Sequence, residues 1–251
     1  LPTYRLVVEY DGTLFHGLQY QREERTVVGE LQVALGRLFD EPIALSAAGR
    51  TDAGVHASGQ VVSFASERAF PVERLALALN ANLPSDVTVR DAAIVADGFS
   101  ARFDATARVY EYRILNRTAP SALARRYTHH VYLPIDVELM RAASRDLLGQ
   151  HDFVAFCGVL PERGGTVRTI HAIDITRVRD EIVVRITGLG FLHRMVRISV
   201  GTLIEIATGR RAADDIRAIL ASRDRRRAGY TAPATGLTLV GVRYGDYDSE
   251  R

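Results

Sequence analysis

The stretch Ala48-Gly49-Arg50-Thr51-Asp52-Ala53-Gly54-Val55-His56-Ala57 gathers more potential chemistry than any other part of the chain. One carboxylate, Asp52, stands between two glycines, with the Arg50 guanidinium two residues before it and the His56 imidazole four residues after it. Glycine admits left-handed and crowded backbone that a Cβ forbids, so Gly49 and Gly54 allow a sharp bend and the close approach of a large partner. Asp52 then sits exposed at a loop apex and offers an anion to whatever closes on it. The same residue could instead close a turn by hydrogen bonding its own backbone, as Asp does in glycine-rich stretches. Spacing alone leaves both readings open.

Regular elements must hold such a loop from both sides. Tyr4–Tyr10 and Gln60–Phe64 read as strands, and Val28, Leu31, Leu35 and Leu38 recur at helical spacing after Thr26, a residue suited to an N-cap. A second helix is expected to begin at Pro71 and to present Leu75 and Leu79 to the core, followed by extended chain over Val87–Val95. The later part repeats the style. A strand is expected over Val109–Leu115, then a helix capped by Asp136 and stopped by Gly149, then paired strands His171–Thr176 and Ile182–Thr187 across a turn at Arg179-Asp180. A helix from about Phe191 to Thr208 and a final strand over Thr238–Tyr244 complete the chain. Sheets covered by helices predict an α+β fold of two tandem halves of the ferredoxin-like or RNA-recognition kind, divided as residues 1–103, with the Asp52 loop, and 104–251.

Composition narrows the chemistry. All 32 basic residues among the 251 are arginine, so Schiff-base chemistry and lysine-dependent phosphate loops are excluded. The net charge is only +2, so nucleic-acid binding has to come from clustering. Two clusters are present: Arg102, Arg108, Arg113, Arg117, Arg125 and Arg126 in one stretch, and Arg210, Arg211, Arg217, Arg223, Arg225, Arg226 and Arg227 in another. Arginine forks match phosphate oxygens and stack on bases, which suits RNA; the alternative is ordinary solvated charge, particularly for the second cluster, which Asp214, Asp215 and Asp224 dilute. The seven histidines show no metal-ligand spacing, and the single cysteine, Cys157, reads as a small half-buried hydrophobe. No run is long enough to span a membrane and Leu1-Pro2-Thr3-Tyr4 does not open a signal peptide, so the cytoplasm is the expected compartment.

The Gly49–Ala57 string resembles the signature of the tRNA pseudouridine synthase A family, and the resemblance runs through nearly the whole chain. It is carried in order by Tyr4-Arg5-Leu6-Val7-Val8-Glu9-Tyr10-Asp11-Gly12-Thr13, Gly59-Gln60-Val61-Val62-Ser63-Phe64, Leu79-Asn80-Ala81-Asn82-Leu83-Pro84 and Ser100-Ala101-Arg102-Phe103. Further along it is carried by Tyr110-Glu111-Tyr112-Arg113, Gly188-Leu189-Gly190-Phe191-Leu192 with Met195-Val196-Arg197, and Thr231-Ala232-Pro233-Ala234 before Gly236-Leu237. The resemblance implies an isomerase that converts uridine to pseudouridine at nucleotides 38, 39 and 40 of the tRNA anticodon stem-loop, acting as a homodimer. It also implies that the two sheets join into one continuous, mainly antiparallel sheet with the active cleft between the halves. Every atom is kept in the reaction, so no cofactor, metal or redox partner is expected.

Asp52 is the catalytic residue that the resemblance assigns. A ribosyl centre losing its base develops positive charge that an anion can stabilise or capture. Attack at C1′, addition to uracil C6 and removal of a C2′ proton all stay open, with a role at the ribose favoured. A desolvated carboxylate resists ionisation, and the resemblance supplies Arg197 to counter that. Tyr110 is assigned to the uracil, although alternation places Tyr110 and Tyr112 on one strand face and either could be core. Arg50, Arg102, Arg225 and Arg226 are the expected RNA contacts, and His56 is either a further one or part of the loop's architecture. Leu18 stands where many relatives carry tryptophan, and Val109 where many carry a basic residue. A non-catalytic RNA-binding protein would keep the arginines and aromatics without needing Asp52, and a hydrolytic nucleosidase would use the carboxylate but release free base.

Overall fold

A computed structural model describes residues 1–250. Strands lie at Thr3–Tyr10 (β1), Ser46–Ala47 (β2), His56–Ala65 (β3), Val87–Val95 (β4), Ala107–Asn116 (β5), His129–Val131 (β6), Gly149–Asp152 (β7), Val167–Val178 (β8), Glu181–Gly188 (β9), Leu237–Tyr244 (β10) and Tyr247–Asp248 (β11). The α-helices are Val27–Phe39 (α1), Val72–Asn80 (α2), Val137–Ser144 (α3), Met195–Ala207 (α4) and Asp215–Ser222 (α5). The expected α+β class holds. The chain divides into two compact units, Leu1–Arg108 with the chain end from Thr238, and Val109–Leu237.

In the first unit β1 lies between β4 and β3, antiparallel to both, and β2 runs antiparallel along the later part of β3. The order β1-α1-β2-β3-α2-β4, with spatial sequence 4-1-3-2, is the ferredoxin-like arrangement expected for this half. β10 pairs in parallel with the opening of β3, Thr238 beside His56 and Leu239 beside Ala57. Thr26 caps α1 by accepting from the Gly29 amide, and the helix buries Val27, Val28, Leu31, Ala34, Leu35 and Phe39. Pro71 is the cap of α2 and Val72 its first residue, and Leu75 and Leu79 are buried as expected. Tyr4 stacks on Phe64 and meets the edge of Phe39, with ring centroids 5.0 and 5.5 Å apart. Such side chains each contribute about 1.5–3 kcal/mol on burial. At the other end of β1 a register irregularity between Val8 and Tyr10 sets Tyr10 opposite Ala57, beside the start of β3. The sheet thus carries Tyr10 to the foot of the Asp52 loop.

The second unit repeats a strand–helix–strand–strand–helix order through β5, α3, β8, β9 and α4, with β9 between β5 and β8 and β7 beyond β8. Arg179 takes φ +54 in the β8–β9 turn, at the expected Arg179-Asp180 corner. Two expected helix bounds are wrong. The helix expected to reach Gly149 ends at Ser144, and Gly149, at φ +89, opens β7 against Ile170. The helix expected from Phe191 begins at Met195, because Arg194 holds a left-handed φ of +60 that no helix can continue through. Helix α5 was hidden in a run read as an arginine cluster facing RNA or solvent, although Ile216 and Ile219 bury one side of it.

The side chains of α4 are all buried except two, Arg197 and Glu205. A helix apolar almost all round belongs in a core. Beyond its far end, His129 of β6 meets the ring edges of Tyr112 and Tyr230, each with centroids 6.1 Å away, and its Nδ1 is buried without a partner. Burial first, and His130 second, pull the His129 imidazole down to about 4. A lowered histidine stays neutral when folded but takes up a proton when unfolded, so stability should fall as pH drops from about 6.5 towards 4. His129→Phe keeps the ring and removes the proton site. Urea titrations at pH 7 and 4.5 should therefore show the wild type losing on the order of 1 kcal/mol more than the variant. Equal losses would remove His129 as a source of the pH dependence.

Candidate active site

The Asp52 loop is held from beneath by a second loop, 11–18. The Leu18 amide donates to the Thr51 carbonyl at 3.1 Å and the Gly54 amide to the Phe15 carbonyl at 3.3 Å, while within the loop the Val55 amide reaches the Asp52 carbonyl at 3.1 Å. The fit is close enough to require two glycines. A Cβ on Gly12 would lie 2.0 Å from the Val55 carbonyl oxygen, and one on Gly17, at φ +92, would lie 2.8 Å from that of Thr51. Loop 11–18 is itself anchored by Arg25, whose fork takes both oxygens of Asp86 at 2.8 Å and whose guanidinium lies over the Phe15 ring at 4.2 Å. Leu18 is buried, and its carbonyl accepts from the Val28 amide at the start of α1. The residue that stands in place of a tryptophan therefore serves packing.

Asp52 itself is half-buried and Arg50 exposed. The neighbouring residues are fixed by side chains: the Gln60 amide donates to the Gly49 carbonyl at 2.9 Å, and the Tyr10 hydroxyl meets Thr51 Oγ1 at 2.7 Å. Arg108 donates through Nε and Nη2 to the Ala48 carbonyl and through Nη2 to the Arg102 carbonyl, tying the foot of the loop to segment 101–105. His56 is buried at the start of β3, where its Nδ1 accepts from the Gly12 amide at 3.0 Å. The same nitrogen lies 3.2 Å from Asp11 Oδ1. Arg102 is exposed and rests on the exposed Phe103 ring.

In the second unit Tyr110 and Tyr112 are both buried. The Tyr110 ring meets Phe191 at 90° with centroids 5.3 Å apart. The Tyr112 hydroxyl donates to the Pro233 carbonyl at 2.9 Å, and burial raises its phenol well above the usual range. Arg197 is the third residue of α4, whose first turn carries no acidic side chain. Its Nε donates to the Ala232 carbonyl at 2.7 Å while its own carbonyl accepts from the Ala232 amide at 3.1 Å, so segment 231–234 holds both Arg197 and Tyr112. A cation in the first turn of a helix opposes the helix dipole.

The remaining expected contacts divide by direction. Arg225 is half-buried and turned inward, donating to the Ala228 and Gly229 carbonyls and to Thr231 Oγ1. Arg226 is exposed and grips Asp224, whose carboxyl that contact holds down at about 2. Tyr10, Gln60, Arg25 and Arg108 are the supporting residues that sequence inspection missed. A glutamine directly before Val61 and Val62 in an expected strand was the available signal. No group of three or more His, Cys, Asp or Glu side chains converges among the described residues, and no helix among them is long and apolar enough to cross a membrane.

Comparison with known proteins adds an independent line. Residues 6–104 and 143–245 match the model of a family described as tRNA pseudouridine synthase. Proteins named tRNA pseudouridine synthase A are similar over nearly their full length. The one from Halalkalibacterium halodurans is 48% identical, covering 92% of this chain and 89% of the relative. Those from Methylobacterium nodulans and Bacillus subtilis are 47% and 43% identical, covering 97% and 96% of this chain and 96% and 98% of theirs.

The tightness of the loop contacts is testable with two glycines of similar φ. Gly17→Ala and Gly98→Ala, at φ +92 and +80, should each cost about 1–2 kcal/mol of backbone strain. A Cβ at Gly98 meets nothing within 4 Å, whereas at Gly17 it strikes the Thr51 carbonyl. Hydrogen exchange of the Leu18 amide should quicken in Gly17→Ala only. The same protection in both variants would mean that the loops are not in contact through Thr51.

Proposed function

The chain belongs to the tRNA pseudouridine synthase family and is an isomerase acting on tRNA, and from that premise we propose that Asp52 supplies the anion on which the isomerisation turns. The observation that carries this reading is a half-buried carboxylate on a loop whose backbone is pinned on both sides of it. In the reaction the N1–C1′ bond breaks, the uracil turns, C5 bonds to C1′ and the C5 proton leaves. Asp52 meets the charge that develops at the ribose. Arg197, one of two polar exceptions in a buried helix, keeps an anion favourable in a site cleared of water.

Tyr110 moves the proton. With 7% of its surface exposed and its ring engaged by Phe191, it offers little face for a base to stack on, which favours its hydroxyl as the working part. A uridine in a stem has its glycosidic bond buried, so the enzyme extrudes it and offsets about a few kcal/mol of unstacking with contacts elsewhere. Exposed Arg50, Arg102 and Arg226 suit phosphate, while His56 and Arg225, both turned inward, shape the loops that present them. The targets are uridines 38, 39 and 40 of the anticodon stem-loop, and the working form is a cytoplasmic homodimer. Sedimentation of the free protein at assay concentration checks that last point.

Asp52→Asn keeps the shape and removes the anion, so tRNA affinity should stay near wild type while single-turnover pseudouridine formation falls at least about 10³-fold. Near-normal turnover would end the proposal and favour a binding protein that has no use for Asp52. In the same assay Tyr110→Phe should be nearly as slow as Tyr110→Leu, since both lack the hydroxyl. A stacking platform would spare Phe and leave Leu short of about 1–3 kcal/mol of base stacking.

A further inference from the structure

We propose that Tyr10, Thr51 and Gln60 form a buried hydrogen-bond chain that positions Asp52 for the reaction, making Tyr10 and Gln60 positioning residues of the active site. The inference rests on Asp52 carrying the chemistry. Gln60 is fully buried, Tyr10 3% exposed and Thr51 7% exposed, so Tyr10 and Gln60 act through the loop. The order of donors follows from which groups can only give a proton. Gln60 Nε2 donates to the Gly49 carbonyl at 2.9 Å and, weakly, to the Tyr10 oxygen at 3.5 Å, while Gln60 Oε1 accepts from the Val61 amide at 3.2 Å. Tyr10 accepts from Gln60 and shares with Thr51 Oγ1, at 2.7 Å, a hydrogen bond in which either hydroxyl can be the donor. Burial pushes the Tyr10 phenol up to about 12, so the hydroxyl stays protonated at any pH used to assay the enzyme.

The chain acts on the two residues that matter most for Asp52. Gly49 is pinned at its carbonyl by Gln60 and Thr51 at its hydroxyl by Tyr10, while the Thr51 carbonyl takes the Leu18 amide and the Asp52 carbonyl takes that of Val55. Main-chain bonds alone would leave the Gly49 peptide free to rotate between left-handed and extended forms, as glycine permits. Buried polar groups are costly unless every member is satisfied, so three of them converging on one loop signal a demand for geometry and not for burial. A displacement of about 1 Å of a reacting group can cost on the order of 100-fold in rate. Tyr4 supplies the contrast. It lies at the opposite end of the same strand, fully buried, and its hydroxyl takes the Phe70 amide at 2.9 Å. That bond ties one part of the core to another and reaches no residue of the Asp52 loop.

The test measures single-turnover pseudouridine formation at saturating enzyme, tRNA affinity and thermal stability for Tyr10→Phe, Thr51→Val, the double variant, Thr51→Ser, Tyr4→Phe and Asp52→Asn. Tyr10→Phe and Thr51→Val should each slow the reaction about 10- to 100-fold with tRNA affinity within about twofold of wild type. The double variant should be no slower than the slower single one, because both cut the same link. Thr51→Ser, which keeps the hydroxyl, should recover most of the rate. Tyr4→Phe should lower the melting temperature and leave the rate unchanged. The proposal is overturned if Tyr10→Phe turns over like wild type, if Tyr4→Phe slows the reaction as much, if rate and affinity fall together, or if the two slow steps multiply. Should Tyr10→Phe fail to fold, the Thr51→Val and Thr51→Ser pair decides the matter alone. An active Asp52→Asn would show instead that the underlying reading of Asp52 is at fault, whatever the other variants do.

Discussion

The Asp52 loop does not satisfy its backbone by itself, and the structure depends on how that shortage is met. The Asp52 loop has a single internal main-chain bond, Val55 to Asp52, among those that fix it. The rest come from outside: amides and carbonyls of loop 11–18, the side chains of Tyr10, Gln60 and Arg108, and two glycines that let the backbones touch. Each donor must arrive from a different strand or loop at hydrogen-bond distance. The ferredoxin-like order of the first unit does this, because β1 and β3 are neighbours and β1 ends, through its register irregularity, at the level where β3 begins.

Helix α4 shows the same logic in the second unit. Its burial on nearly every side stabilises the unit and leaves a charged side chain there expensive. Arg197 is retained, tied through Ala232 to the segment that also receives the Tyr112 hydroxyl. Local rules are broken twice within four residues, by a left-handed Arg194 at the cap and by a cation in the first turn. Such departures concentrate where function and not packing sets the residue.

The elements that position the site were legible from periodicity, since Leu75 and Leu79, the Thr26 cap and the Arg179-Asp180 turn carry local signals that the structure keeps. What failed was local backbone choice at single residues. Gly149 looked like a helix stop but opens a strand, and nothing in the types around Arg194 announces a positive φ. The Asp52 loop stood out by its glycines and charges, but its supports did not. Tyr10 and Thr51 are separated by 41 residues, and Arg25 and Asp86 by 61, so their pairing exists only through sheet register. Arg225 and His56 were visible as a charge and a ring, but not their inward direction, which tertiary carbonyl and amide partners decide.

The central claim is that the Asp52 carboxylate serves an isomerisation in which the base never leaves the RNA. The decisive measurement is mass spectrometry of the tRNA anticodon fragment, with and without carbodiimide labelling of pseudouridine, after incubation with the purified protein and EDTA. The account predicts a fragment of unchanged mass in which uridine has become pseudouridine, and an unmodified fragment with Asp52→Asn. A fragment lighter by one uracil less one water, with free base in solution, would contradict it and make the enzyme a hydrolase.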